Sequence, residues 1–151
     1  MRRGFTMIEL IFVIVILGIL AAVALPKFVG VSQQAHEGKL KGFVGTLNRT
    51  VAPSIWSKSI ADGKNGSIKD GTYKLETYVD IPEGNATAPD LTKCTANTFP
   101  SSTDDDSAVV KYSAANVGKD YYIMCRDGNV TNSPAFQLRD ADGNVIAGPK
   151  S

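Results

Sequence analysis

The chain has 151 residues, 43% of them apolar and 21% charged, with a formal net charge of +1. That length suits one domain with a modest core, and so even a charge balance gives no footing for nucleic acid or an acidic partner. The average conceals a division: between Phe5 and Leu25 the only charged residue is Glu9 and the only other plainly polar one is Thr6.

The chain opens Met1-Arg2-Arg3-Gly4-Phe5-Thr6-Met7-Ile8-Glu9-Leu10, and no charge follows from Ile11 to Leu25. As a helix, residues 5–25 would be roughly 32 Å long, enough to cross a hydrocarbon layer of about 30 Å. Arg2 and Arg3 stand just ahead of it, so the short end is expected on the cytoplasmic side and the rest of the chain outside. Without those two arginines the balance is 14 basic against 15 acidic side chains, close to neutral.

Three readings compete for this segment. It could be a secretory signal peptide, with Ala22-Val23-Ala24 as a small-x-small cleavage site. It could be a permanent anchor on an exported domain that binds or catalyses. Or it could be a leader cut between Gly4 and Phe5, with the apolar helix retained. Glu9 separates them. A carboxylate in a membrane helix costs about 2.5–3.5 kcal/mol, and a plain signal or anchor gains nothing from it. A cut before Phe5 creates an amine four residues ahead of Glu9. In a stack of helices, one subunit's amine can then meet its neighbour's carboxylate and fix the axial register.

The run Gly4-Phe5-Thr6-Met7-Ile8-Glu9-Leu10 resembles the cleavage and methylation motif of type IV pilins and type II secretion pseudopilins. The likeness continues through Ile16-Leu17-Gly18-Ile19-Leu20-Ala21-Ala22-Val23-Ala24 to Leu25-Pro26-Lys27-Phe28. The resemblance implies that Gly4 directs prepilin peptidase and that Phe5 becomes the N-methylated first residue. It also makes Glu9 the assembly glutamate and Pro26 the helix-bending proline. The implied fold is α+β, a long N-terminal helix packed on a small antiparallel sheet. Its divisions are a leader (1–4), a membrane and assembly helix (5–25), an amphipathic stem (26–61) and a β-rich head (62–151).

Beyond Pro26 the apolar residues thin to a stripe, Leu40, Phe43, Val44, Leu47, Val51 and Ile55, whose three- and four-residue intervals mark one helix face. Lys39, Lys41, Asn48, Arg49 and Lys58 are placed mainly elsewhere around the helix. Pro53 either kinks the stem or ends it early, and a kink is the favoured reading. Asp62-Gly63-Lys64-Asn65-Gly66-Ser67 is a turn cluster marking the stem's exit. Strands are predicted over Thr72–Val79, Ala108–Tyr112, Tyr121–Arg126 and Ala135–Arg139, with a short one at Val145–Ala147. Asp127-Gly128-Asn129 and Asp142-Gly143-Asn144 stand where hairpin turns are wanted. Gly84–Ser107 reads as a long surface excursion.

Cys94 and Cys125 in an exported domain are most simply a disulfide, two unrelated buried thiols being the alternative. The bond would tether the excursion to the Tyr121–Arg126 strand. Such a loop stabilises by roughly 3–4 kcal/mol in the chain-entropy account.

No catalytic constellation is visible, so an enzyme is not expected. His36 is the single histidine and lies in the stem, which excludes histidine triads and histidine-rich metal sites. Asp104-Asp105-Asp106 reads as a solvated loop in preference to a cation site. No cofactor is expected, with one exception to weigh. Asp140, Asp142 and Asn144 alternate ahead of and around Gly143 like part of a calcium loop, and major pseudopilins bind Ca2+ near this end; a hairpin turn is the competing reading. Asn48, Asn65, Asn85 and Asn129 begin N-x-Ser/Thr sequons. Asn85 and Asn129 also carry an acid two residues earlier, similar to acceptors of some bacterial oligosaccharyltransferases, although Asp-, Gly- and Asn-rich turns generate such matches freely. The aromatics along the helix read as packing, not as an electron path.

The stretch from Leu25 to Ile60 most resembles mannose-sensitive haemagglutinin-type pilins. The reading is therefore a structural subunit of a type IV pilus-like surface filament serving adhesion, motility or DNA uptake; a type II secretion pseudopilin is the alternative. Expected partners are copies of itself and other pilins, prepilin peptidase/methyltransferase, the assembly machinery, and the inner membrane before assembly. The head is then periplasmic at first and extracellular in the filament.

Overall fold

The computed structural model describes residues 4–113 and 119–150, with Phe28, Val29 and Asn85 described by backbone alone. Arg2 and Arg3 lie outside the described residues. A long helical rod runs from Met7 to Ala61. It comprises α1 (Met7–Thr46), a π-helical turn (Leu47–Val51) and α2 (Ala52–Ala61). At 55 residues it is about 80 Å long. Its first half is bare: none of the residues from Met7 to Val23 is buried by the rest of the chain. Further along, Leu40, Phe43, Val44, Leu47, Val51 and Ile55 are buried, so the expected stripe is the face on which the head sits.

Pro53 does not end the stem. It stands in the first turn of α2, directly after a widened turn in which the Ala52 N–H donates to the Leu47 carbonyl five residues back. That turn also carries a residue expected on the polar face. The Asn48 amide donates to the Phe136 carbonyl (2.8 Å) and accepts from the Phe136 N–H (2.8 Å), so the side chain pairs with the sheet as a strand would. It also donates to the Val44 carbonyl (3.0 Å).

The head is a five-stranded antiparallel meander in the order β1-β2-β3-β4-β5. The strands are β1 (Asn85–Ala86), β2 (Val110–Ser113), β3 (Tyr121–Arg126), β4 (Ala135–Asp140) and β5 (Val145–Ala147). The register pairs Tyr112 with Tyr121, Ile123 with Leu138 and Cys125 with Phe136, and these residues share one core with the stem stripe. The alternate residues Tyr122, Met124 and Ala135 form a second core with Phe99 and Ala108. The sheet is therefore covered on both faces, which is why β3 and β4 read as unbroken runs without the alternation of a one-sided sheet.

Three expectations are corrected. The segment Thr72–Val79 is no strand; it forms a 3-10 turn over Leu75–Thr77. Tyr73 and Leu75 are buried as the alternation implied, but no strand pairs with them among the described residues, and the Leu75 carbonyl instead accepts locally from the Tyr78 and Val79 N–H groups. The Gly84–Ser107 excursion is more than surface. It contains β1 and a turn at Leu91–Lys93, and it lays Phe99 over the outer face of the sheet while the Pro100 carbonyl accepts from Arg139 Nη1 (2.6 Å). Cys94 and Cys125 are disulfide-bonded, and both are buried.

Asp127-Gly128-Asn129 is likewise not a tight hairpin, since β3 and β4 are joined by eight residues, 127–134. Asp127 turns inward instead, its carboxylate accepting from Ser67 Oγ (2.7 Å) and the Ile68 N–H (2.8 Å). The Trp56 indole donates to the Asn129 carbonyl (2.8 Å). These bonds clamp the stem's exit to the β3–β4 connection so closely that a Cβ on Gly128 would stand 2.3 Å from the Gly66 carbonyl oxygen. Gly128→Ala should thus destabilise the head by about 1–3 kcal/mol or more. Gly42→Ala, on an open helix surface, should stabilise by about 0.5–1 kcal/mol. Thermal melts of the detergent-solubilised chain check the opposite signs; equal midpoints for the two variants would dismiss the clamp.

Candidate assembly site at the N-terminal helix

The bare half of α1 begins where the sequence places its cleavage and assembly residues. Gly4 and Phe5 precede the helix and are exposed, Phe5 to 90%, so the peptide bond between them is open to approach. Thr6 is the N-cap. Its hydroxyl accepts from the Glu9 N–H (3.4 Å) and donates to Glu9 Oε2 (2.8 Å), while the Thr6 N–H donates to the same carboxylate oxygen (2.8 Å). This reciprocal capping box satisfies two helix-end donors and sets a negative charge at the positive end of the helix dipole. The Glu9 carboxylate is thus held by its own chain, flanked by the apolar side chains of Ile8 and Phe12. The spacing Thr6-x-x-Glu9 ahead of an apolar run is itself a readable capping signature, and Thr6 is the residue that the motif reading passed over.

Pro26 lies inside α1, which runs on through it to Thr46. The remaining candidates sit in or against the head, well away from Glu9. His36 is half-buried against the rings of Tyr112 (centroids 6.1 Å apart) and Tyr121 (5.9 Å). Beside it, a hydrogen bond from Lys41 holds Glu37 below the usual carboxylate range. The Tyr112 hydroxyl is buried with no hydrogen-bond partner among the described residues, and that burial pushes its pKa up to about 12.

Asp104 and Asp105 have structural engagements. Asp104 Oδ1 accepts from the Ser107 N–H (2.8 Å), and Asp105 pairs with Lys111 (2.9 Å). Asp140 and Asn144 do come together. Asp140 Oδ1 accepts from the N–H groups of Asp142 (3.1 Å) and Asn144 (2.8 Å), and Oδ2 accepts from the Asn144 amide (3.0 Å), closing the β4–β5 turn with Gly143 at φ +85°. The Asp142 carboxylate points elsewhere, 3.8 Å from the Lys119 ammonium. Among the described residues no three of His, Cys, Asp and Glu gather as a metal site would require.

Asn129 Oδ1 accepts from Thr131 Oγ1 (2.8 Å) and from the N–H groups of Thr131 and Asn132 (2.9 Å each). The acid of its sequon, Asp127, is the buried clamp residue. The Asn85 side chain lies outside the described residues.

Residues 1–25 match the family described as the prokaryotic N-terminal methylation motif. Over 98 residues the chain is 32% identical to the type IV narrow pilus major component PilA5 of Thermus thermophilus, covering 60% of this chain and 84% of that protein. The chain belongs to the type IV pilin family. No solved structure matches it. The pilin is a structural subunit, not an enzyme. Its α+β architecture, its apolar N-terminal helix and its disulfide agree with the family reading of the sequence.

The head's carboxylates predict its response to acid. Burial alone would raise Asp140, but the Asn144 amide and the N–H groups of Asn144 and Asp142 outweigh it and hold the group below its ordinary 3.8. Asp70 (through Lys64), Asp90 (through Thr92) and Asp104 (through Ser107) are depressed likewise. A carboxyl lowered in the folded state adds stability that is fully present above its ordinary pKa and lost as pH falls through the folded value. Melting temperatures should therefore hold from neutral pH down to about pH 4 and fall below it. Asp140→Asn should lose about 1–3 kcal/mol at neutral pH and show a shallower decline in acid. An unchanged acid slope would remove Asp140 from the account.

Proposed function

We propose that this pilin is the building block of a type IV pilus-like surface filament. In this reading residues 1–4 are a leader removed at Gly4–Phe5, and Phe5 becomes the N-methylated first residue. Residues 5–25 hold the subunit in the inner membrane and then form the filament's helical core, while the stem (26–61) carries the head (62–151) outward. The observation that carries it is an apolar helix surface left bare over its first half, interrupted by one carboxylate at a capped helix end. A bare apolar surface needs lipid or other helices around it, and a carboxylate there needs a positive partner.

Within the membrane, Glu9 is supported by the Thr6 cap. Removal of the leader places a new positive amine on Phe5, and in the helical stack a neighbour's amine replaces the cap as the carboxylate's partner. Register follows from that pairing, because a subunit out of step strands both charges in low dielectric. The peptidase, the assembly machinery and further pilins enter as partners of this process. Adhesion, motility and DNA uptake are the surface roles such a fibre serves.

Mass spectrometry of filaments sheared from cells provides the test. The expected species begins at N-methyl-Phe5, carries oxidised cysteines and is abundant in the sheared fraction. The same start confined to membranes would point to a secretion pseudopilus, and a start at Leu25 would end the filament reading. Glu9→Ala should leave export and cleavage intact while sheared yield falls at least about tenfold, since stranding one partner of a buried pair costs about 3–5 kcal/mol. Thr6→Ala, which removes a cap of about 0.5–2 kcal/mol, should act more mildly. Normal yield from Glu9→Ala would refute the pairing.

A further inference from the structure

Charge divides unevenly along the chain beyond the apolar helix. From Pro26 to Ala61 there are five basic side chains and one acidic; from Asp62 to Ser151 there are nine basic and thirteen acidic. The stem is thus about as positive as the head is negative. All five stem cations are exposed. Three are engaged within the subunit: Lys41 with Glu37 (2.7 Å), Lys58 with Asp62 (3.4 Å), and Lys39 with the Glu83 carbonyl (3.4 Å). Lys27 makes no ion pair among the described residues.

Among the described residues no side chain of its own head pairs with it. Among the described residues, a rim of the head meets the stem with Glu83 against Lys39 and Gly84 against His36. Lys27 stands twelve residues before Lys39, which along a helix is about 18 Å. At that rim the Glu83 side chain is exposed, as is Asp80 three residues before it in sequence, and neither forms an ion pair among the described residues. One molecule therefore presents an uncovered cation on its stem and uncovered anions on its rim, held apart by rigid helix.

We propose that Lys27 of one subunit pairs with the Asp80–Glu83 rim of a second copy, displaced along the filament by about 18 Å toward the first copy's N-terminal end. The proposal rests on the filament reading and adds to it a head-to-stem contact outside the apolar core. It is a heterologous contact, one patch meeting a different patch, which repeats without closing and so suits an open helical polymer. It lies in a wet, high-dielectric layer, so it weakens with salt, and its role is to reject misplaced neighbours, not to supply the bulk of the cohesion.

The experiment expresses the full chain in its own cells and reads sheared-filament yield beside membrane-held subunit and the Phe5 start. Lys27→Glu should lower filament yield about tenfold or more with processing unchanged. Lys27→Glu combined with Asp80→Lys and Glu83→Lys should restore it to within about threefold of the parent. A second variant, Lys27→Cys with Glu83→Cys, should give a ladder of disulfide-linked copies from sheared filaments under oxidation, and monomer from membranes. Normal yield from Lys27→Glu, no rescue by the reversed rim, or absence of the ladder would each overturn the contact. Loss of membrane-held subunit in Lys27→Glu, unrelieved by the rim reversal, would overturn it in favour of lipid headgroups as the lysine's partner. If the unaltered chain yields no filament at all, the filament reading itself fails, a result distinct from any of these.

Discussion

The stripe from Leu40 to Ile55 is the surface on which the rest of this molecule is assembled. Its six large side chains share one core with Tyr121, Ile123, Cys125, Phe136 and Leu138 of the sheet's inner face. Burying one such side chain is worth about 1.5–3 kcal/mol, so the stripe outweighs any single polar contact in the head. Polar groups then fix which way the parts face. Asn48 supplies the hydrogen bonds that β4 lacks at Phe136, where β5 reaches only as far as Leu138. Asp127 ties the stem's exit to the far end of the sheet. Apolar burial supplies the magnitude and these two side chains supply the geometry.

The elements most legible in the sequence were those whose burial and pairing coincide. Tyr121–Arg126 and Val145–Ala147 occur with the predicted bounds, and Ala135–Asp140 runs one residue further, because apolar runs between turn residues became strands with partners on hand. Thr72–Val79 carries a convincing alternation and is still not a strand. Alternation records which side chains are buried, and whether a neighbouring strand exists is decided by chain far away. Asn48 and Asp127 were unreadable for the same reason: their partners lie 88 and 59 or 60 residues away, and neither residue differs locally from a helix-surface amide or a turn acid. The excursion before β2 looked like surface because it holds few large apolar residues. One of them, Phe99, is enough to help close the second core.

At the N-terminus the situation is reversed, and nearly everything was local. Gly4, the apolar run and Glu9 are neighbours in sequence, and so is Thr6, the capping partner of Glu9. What the structure adds there is a state in which the carboxylate is already satisfied. A charge held by Thr6 is less of a liability in lipid than a bare one, so the isolated subunit does not have to find a neighbour in order to persist. The proposed stack must then offer Glu9 more than the cap does. A full positive charge in low dielectric exceeds a hydroxyl and one backbone N–H, and in the proposed stack a correctly registered neighbour supplies it.

The two halves of the rod consequently obey different rules. Side chains before Ala24 touch nothing of their own head, so substitutions among them leave the folded head unaltered and act on membrane residence or on contacts between copies. The buried side chains from Leu40 to Ile55 belong to the core shared by helix and sheet, and there a loss of assembly is not separable from a loss of folding. Lys27 lies between these regimes, beyond the lipid-length apolar run and short of the head. A residue in that interval is free of both constraints. Its charge lies outside the buried core, and the proposed contact between copies would use it without disturbing the folded head.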